Sequence, residues 1–128
     1  MATHCVIGYE TLDGGYRGAY CHWDGWPDHI GPVLEKMWHA DVAILVERAL
    51  TEEGLLNLNK DRPGASPILY RQDPTHSRSQ PTQTRWPCYV YEWGYRKRLD
   101  GTVEIACEED RTVTVTGTVP CNCTADMV

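Results

Sequence analysis

Hydrophobic and polar positions change period along this chain, and each change predicts a different element. Residues 3–9, Thr-His-Cys-Val-Ile-Gly-Tyr, form an apolar run with a β-branched centre, and 16–22 returns with similar character. Asp13-Gly14-Gly15 between them is a strong turn signal, so the first unit reads as a β-hairpin. From Pro27 the period lengthens. Ile30, Val33, Leu34, Met37 and Trp38 recur at spacings of three and four, the stripe of an amphipathic helix. Pro27 suits its first turn, where a missing N–H costs nothing. His39-Ala40-Asp41 is expected to interrupt this helix, with Asp41 capping a second one that presents Val42, Leu45, Val46 and Ala49. Glu52-Glu53-Gly54 ends it, and residues 55–58 read as a short apolar connection.

Residues 59–86 carry four prolines among many Ser, Thr, Gln and Arg, with a brief hydrophobic foothold at Pro67-Ile68-Leu69-Tyr70. This stretch is expected to be a long mobile loop. Cys88 to Trp93 then reads as an aromatic strand with Tyr89, Tyr91 and Trp93 on one face. Arg96-Lys97-Arg98 is placed in a hairpin loop, and Leu99-Asp100-Gly101 is a second turn signal. Residues 102–106 and 112–119 alternate as two further strands around a turn at Glu109-Asp110-Arg111. The predicted fold class is α+β: a mainly antiparallel sheet built from a β-hairpin, two helices, a long loop and three further strands. Neither helix can bury its stripe alone, so both are expected on one face of the sheet. One domain over residues 1–128 is expected, with a flexible tail at 120–128.

Composition narrows the function classes. Hydrophobic residues make up 41% and charged residues 23%, a globular balance rather than a disordered one. The longest apolar run, Val42 to Val46, is far too short to cross a bilayer. Met1 to Cys5 lacks the basic region and apolar stretch of a signal peptide, so a cytosolic protein is expected. A net charge of −6 opposes general nucleic-acid binding, which needs clustered Lys and Arg. In a reducing compartment, Cys5, Cys21, Cys88 and Cys107 are expected to act as small buried hydrophobes. Cys121 and Cys123, in the tail, could join His4 and Cys5 around zinc, but the spacing lacks the paired form of structural zinc motifs.

The densest chemistry lies in Tyr20-Cys21-His22-Trp23-Asp24-Gly25-Trp26-Pro27. If the chain stays extended, His22 and Asp24 share a face, and a carboxylate beside an imidazole suits acid–base work or metal binding. Two ligands make no metal site, and His29 and His39 do not complete a recognised pattern. No metal, cofactor or catalytic residue is therefore assigned. A structural reading explains more. Asp24 accepts hydrogen bonds from the free N–H groups at the helix start, Gly25 supplies a turn conformation, and Gly31 permits close approach to a strand. The third reading is recognition, because Trp and Tyr are favoured at binding hot spots. On that reading His22, Trp23, Asp24, Trp26 and Trp38 are the partner- or ligand-binding candidates. The chain has no Phe, so some of its five Trp and seven Tyr must pack the core.

The motif at residues 20–27, followed by Gly31 and Leu34, resembles an uncharacterised family of small proteins from tailed bacteriophages, many with actinobacterial hosts. Its hallmark is a histidine, an aromatic, Asp-Gly, an aromatic and proline; Trp26 stands where tyrosine is more usual. The resemblance covers residues 3–58 well and 88–106 loosely. It implies a phage accessory protein in the host cytoplasm, a non-enzymatic binding or inhibitory module acting on a host or phage protein in host takeover or counter-defence. Two alternatives are a protein that sequesters a small ligand, such as a nucleotide signal stacked between indoles, and a metal-dependent hydrolase using His22 and Asp24.

Overall fold

The computed structural model describes residues 3–21, 25–51, 54–57, 68–71 and 82–116, with 54–57 and 68–71 described by backbone alone. Seven strands form one sheet: β1 (Cys5–Glu10), β2 (Tyr16–Cys21), β3 (Gly54–Asn57), β4 (Ile68–Arg71), β5 (Trp93–Lys97), β6 (Val103–Cys107) and β7 (Thr112–Thr116). Their order across the sheet is β4-β3-β2-β1-β5-β6-β7. The β1–β2, β3–β4, β5–β6 and β6–β7 pairs are antiparallel, whereas β1–β5 and β2–β3 are parallel. Helices α1 (Pro27–Lys36) and α2 (His39–Thr51) pack on the sheet. The architecture is α+β with a mainly antiparallel sheet.

The first hairpin forms where its turn chemistry places it. Gly14 takes φ 85°, a conformation that only glycine adopts cheaply, and its N–H donates to the Thr11 carbonyl at 2.9 Å. The Asp13 carboxylate accepts the Gly15 N–H at 3.0 Å. This turn sets the register from Glu10 opposite Tyr16 to Cys5 opposite Cys21. Alternation then sends Cys5, Ile7, Ala19 and Cys21 into the core under the helices, and Val6 and Tyr16 into a smaller core on the other face. There the Tyr16 ring lies across both strands: a methyl group on Gly8 would fall 2.4 Å from the ring, and one on Gly18 2.6 Å from its hydroxyl. Trp86 covers the Tyr16 ring at 5.0 Å between centroids.

Helix α1 is held by packing rather than by propensity. Ten residues that include Pro27, Gly31 and Pro32 make a poor isolated helix. Ile30 and Leu34 are fully buried, and each contributes roughly 1.5–3 kcal/mol by leaving water. Helix α2 buries Val42, Leu45, Val46 and Ala49 in the same core, the four positions its period marks.

Several sequence expectations are corrected here. The interruption between the helices falls at Met37 and Trp38, not at His39–Asp41; α2 starts at His39, and Asp41 lies in its first turn rather than at its cap. The connection at 55–58 and part of the loop at 59–86 contain β3 and β4, which extend the sheet beyond β2. Four-residue strands are too short to display a period. The mobility expected of 59–67, 72–81 and 120–128, and the zinc option at Cys121 and Cys123, lie outside the described residues. The expected strand at 88–93 is displaced. Residues 88–92 are irregular and cover the second face, and β5 begins at Trp93, so Tyr89, Tyr91 and Trp93 share no strand face. Arg96 and Lys97, expected in a loop, are inside β5.

Those two cations fit a strand because each finds partners. Arg96 donates to Glu104 Oε1 at 2.8 Å, and its guanidinium lies 5.4 Å over the Trp86 ring. Lys97 is fully buried, and its ammonium donates to the carbonyls of Leu34 at 2.8 Å and Gly101 at 2.7 Å. It thereby satisfies a carbonyl in the last turn of α1 and fastens that helix to the β5–β6 turn. Cys5, Cys21, Cys88 and Cys107 are free thiols, the first three buried as expected.

These buried groups set the alkaline limit of the fold. Burial pushes the Cys5 thiol well above its ordinary 9.0 and the Tyr16, Tyr20 and Tyr95 phenols above 10.0. Each keeps its proton longer when folded, so this contribution is whole below pH 9 and is lost as pH rises through 10 and beyond. Lys97 acts in the opposite sense, because burial lowers its pKa from 10.5 to about 8 and its contribution therefore rises between those values. Thermal melts against pH are expected to show a shallow gain from pH 8 and then a steep loss above pH 10. Lys97→Met should remove the gain and leave the loss. A flat profile above pH 10 would contradict the burial of the phenols.

Candidate functional site

The motif that leaves β2 reaches the structure again at Gly25; His22, Trp23 and Asp24 lie outside the described residues. Gly25 is pinned from three sides. Its N–H donates to the Thr3 carbonyl at 2.8 Å, its carbonyl accepts the Tyr95 hydroxyl at 2.6 Å, and its α-carbon lies against Cys5. A methyl group here would fall 2.8 Å from both Cys5 Cβ and the Thr3 carbonyl oxygen. Gly25 is therefore required for close approach, not for the turn conformation expected of it: among the described glycines, positive φ belongs to Gly14 and Gly101. Gly31 reverses the other expectation. A methyl group there would meet Ile105 Cδ1 at 3.9 Å, an ordinary van der Waals contact, so a side-chain methyl fits.

The two described candidates from the motif region flank α1. Trp26 occupies the N-cap position without a side-chain cap, and its carbonyl accepts the N–H groups of His29 and Ile30 at 3.0 Å. Its indole is 48% exposed. Trp38 follows the C-terminal end of the helix and is 36% exposed. Ten residues of helix, roughly 15 Å, separate them, so they do not form one aromatic pocket. Tyr20 leaves the group of surface aromatics altogether. It is buried in the second face, with Tyr91 at 4.7 Å and His4 at 5.7 Å between ring centroids.

A second constellation, unforeseen in the sequence, surrounds the tip of the first hairpin. Tyr9 and Arg17 are opposite each other in the β1–β2 register, and both reach Glu47 on α2. Arg17 engages both Glu47 oxygens at 2.7 and 2.9 Å, and the Tyr9 hydroxyl donates to one of them at 2.8 Å. The Arg17 guanidinium holds the Glu47 carboxyl below its usual value. With both partners half-exposed, this pair contributes about 0.5–1 kcal/mol. His39, at the start of α2, sets Nε2 2.7 Å from the Glu10 carbonyl and meets the Tyr9 ring edge-on. Tyr9, Arg17 and His39, but not Glu47, line an open cleft of about 730 Å³ together with the turn residues and Thr84. Counting outward from Asp13 pairs Tyr9 with Arg17 in the sequence; Glu47 and His39 join through tertiary packing, which carries no local signal.

Among the described residues, no group of three or more His, Cys, Asp or Glu is placed to hold a metal ion, and no helix is long and apolar enough to cross a membrane. The two motif glycines separate experimentally. Gly25→Ala is expected to destabilise the fold by about 1–3 kcal/mol through overpacking, whereas Gly31→Ala should be neutral or stabilising by about 0.5–1 kcal/mol. Denaturant titration of both variants measures this; equal losses would contradict the packing described at Gly25. No family model, curated protein or solved structure matches this chain.

Proposed function

We propose that this protein is a non-enzymatic binding module, and that it acts in a phage setting on a host component. The observation that carries the reading is the pair of exposed indoles, Trp26 and Trp38, fixed at the two ends of a helix whose Ile30 and Leu34 are fully buried. An indole left half in water forgoes burial that the fold could use, and such rigid aromatic area is what interface hot spots are built from. Ile44, 58% exposed on α2, adds apolar surface to the helical layer. The resemblance of residues 20–27 to phage proteins supports the setting. Sequestration of a ligand between indoles is less favoured by the roughly 15 Å of helix separating these two, and neither lines the cleft at the hairpin tip.

Immobilised wild type, Trp26→Ala and Trp38→Ala, matched for melting temperature, would be compared for capture from host lysate. A retained host protein should bind at least one variant roughly 30-fold more weakly, the effect of losing one aromatic hot spot. Equal retention by all three proteins would defeat the reading.

A further inference from the structure

We propose that β7 is a self-association edge: two copies of this chain pair their β7 strands antiparallel about Thr114 and join two sheets into one. β7 ends the sheet, with β6 on one side and no strand among the described residues on the other. The ladder decides which backbone groups are left over. The Glu108 N–H donates to the Glu92 carbonyl at 3.1 Å, and the Arg98 N–H donates to the Thr102 carbonyl at 2.8 Å. Alternation from these two bonds turns Val103, Ile105 and Cys107 of β6 toward Thr116, Thr114 and Thr112. It leaves the N–H and carbonyl groups of Val113 and Val115 directed away from the sheet. Edge strands are ordinarily blunted by a charge, a proline or a bulge. Thr112-Val113-Thr114-Val115-Thr116 has no charge and no proline, and its register against β6 is unbroken. Val113 and Val115 are 38% and 53% exposed.

The strand fits a second copy of itself. Its residues read the same in both directions, so a two-fold axis at Thr114 sets Val113 of each copy opposite Val115 of the other. Those are the residues whose backbone groups point outward. Each Val pair therefore exchanges both of its N–H···O bonds, and the side chains meet on one face. Thr112 then faces Thr116 of the second copy as a non-hydrogen-bonded pair, in which side chains come closest. Thr116 points to the same occupant, because its Oγ1 is buried and has no hydrogen-bond partner among the described residues. Thr112 Oγ1 donates its proton to Asp110 Oδ1 at 2.6 Å and keeps lone pairs to accept the Thr116 hydroxyl, once that hydroxyl turns about χ1 to the edge. Charge selects the antiparallel direction. Each β7 is preceded by Glu108-Glu109-Asp110, in a chain of net charge −6. Parallel copies would stack these acidic turns, whereas antiparallel copies carry them to opposite ends. The intervening strand of about 17 Å exceeds the screening length of about 8 Å at physiological salt. One short strand pair is a small interface, which makes a weak dimer. Trp26 and Trp38, which flank α1, take no part in this edge.

Sedimentation equilibrium of the full chain, from micromolar to millimolar concentration, tests the pairing. Wild type is expected to pass from monomer to dimer across that range and to stop there, since a two-fold contact closes on itself. Val113→Lys and Val115→Glu each set a charge against a valine of the second copy, and each should weaken association roughly tenfold. Both positions are exposed, so the dilute variants should melt where dilute wild type does. Mixed in equal amounts, the two variants bring lysine opposite glutamate in the stated register. The mixture should therefore dimerise more strongly than either variant alone, which a contact elsewhere on the surface would not produce. Val113→Thr, uncharged and β-branched, should associate as wild type does. Monomer at every concentration would overturn the proposal and leave the edge to an extended segment of a different protein. Species larger than a dimer, a dimer unaffected by Val113→Lys, or a mixture no stronger than its components would also overturn it.

Discussion

Tyr95 of β5 is bonded from both faces of the sheet, and the two layers of this protein meet through it. Its phenol reaches up through the main core to the Gly25 carbonyl at 2.6 Å, while its own carbonyl takes the Tyr16 hydroxyl from the opposite face at 2.9 Å. The first bond fixes where the chain re-enters the core before α1. The second fixes the ring that covers β1 and β2. Both hydroxyls are buried, so each bond also removes the cost of leaving a desolvated polar group unsatisfied, about 1–3 kcal/mol. Tyr95 thus fixes the N-terminal approach to α1, while the burial of Ile30 and Leu34 and the Lys97 bond to the Leu34 carbonyl hold the rest of the helix.

The same bookkeeping of buried polar groups explains the central strands. Lys97, Arg96 and Glu104 occupy adjacent positions of β5 and β6. They are tolerated there because Glu104 is shared by Arg96 and the Trp86 indole, whose N–H donates at 3.1 Å, and because Lys97 is held by two carbonyls. A basic tripeptide read in isolation points to a loop, since the partners that make it a strand lie on distant elements. The aromatic run before β5 has a strand's composition, but it instead forms a cover for the second face.

Local signals carried the rest well. Turn glycines, the proline at the start of α1 and the helical stripe of Val42, Leu45, Val46 and Ala49 are properties of neighbouring residues, and the structure has them where they were expected. Glycine was legible as a residue type but not as a role. Gly25 and Gly31 look alike in the chain; only tertiary contacts distinguish the one pressed against Cys5 from the one where a methyl group would make an ordinary contact with Ile105. The candidate site divided likewise. Trp26 and Trp38 are identifiable as costly residues, but the helix that holds them apart, the Glu47 carboxylate on Tyr9 and Arg17, and the cleft that His39 lines are consequences of packing.

The crossing of Tyr16 over Gly8 and Gly18 has a consequence for how this chain can change over time. Three positions share one volume: two glycines opposite each other and the ring that takes the place of both missing side chains. Enlarging either glycine expels the ring, and shrinking the ring leaves two bare backbones and an unmet carbonyl at Tyr95. No single substitution crosses that barrier without passing through a damaged intermediate. Divergent descendants should therefore keep the three residues together or exchange them as a set, which makes their joint variation a signature of this hairpin in sequences too distant to align by eye.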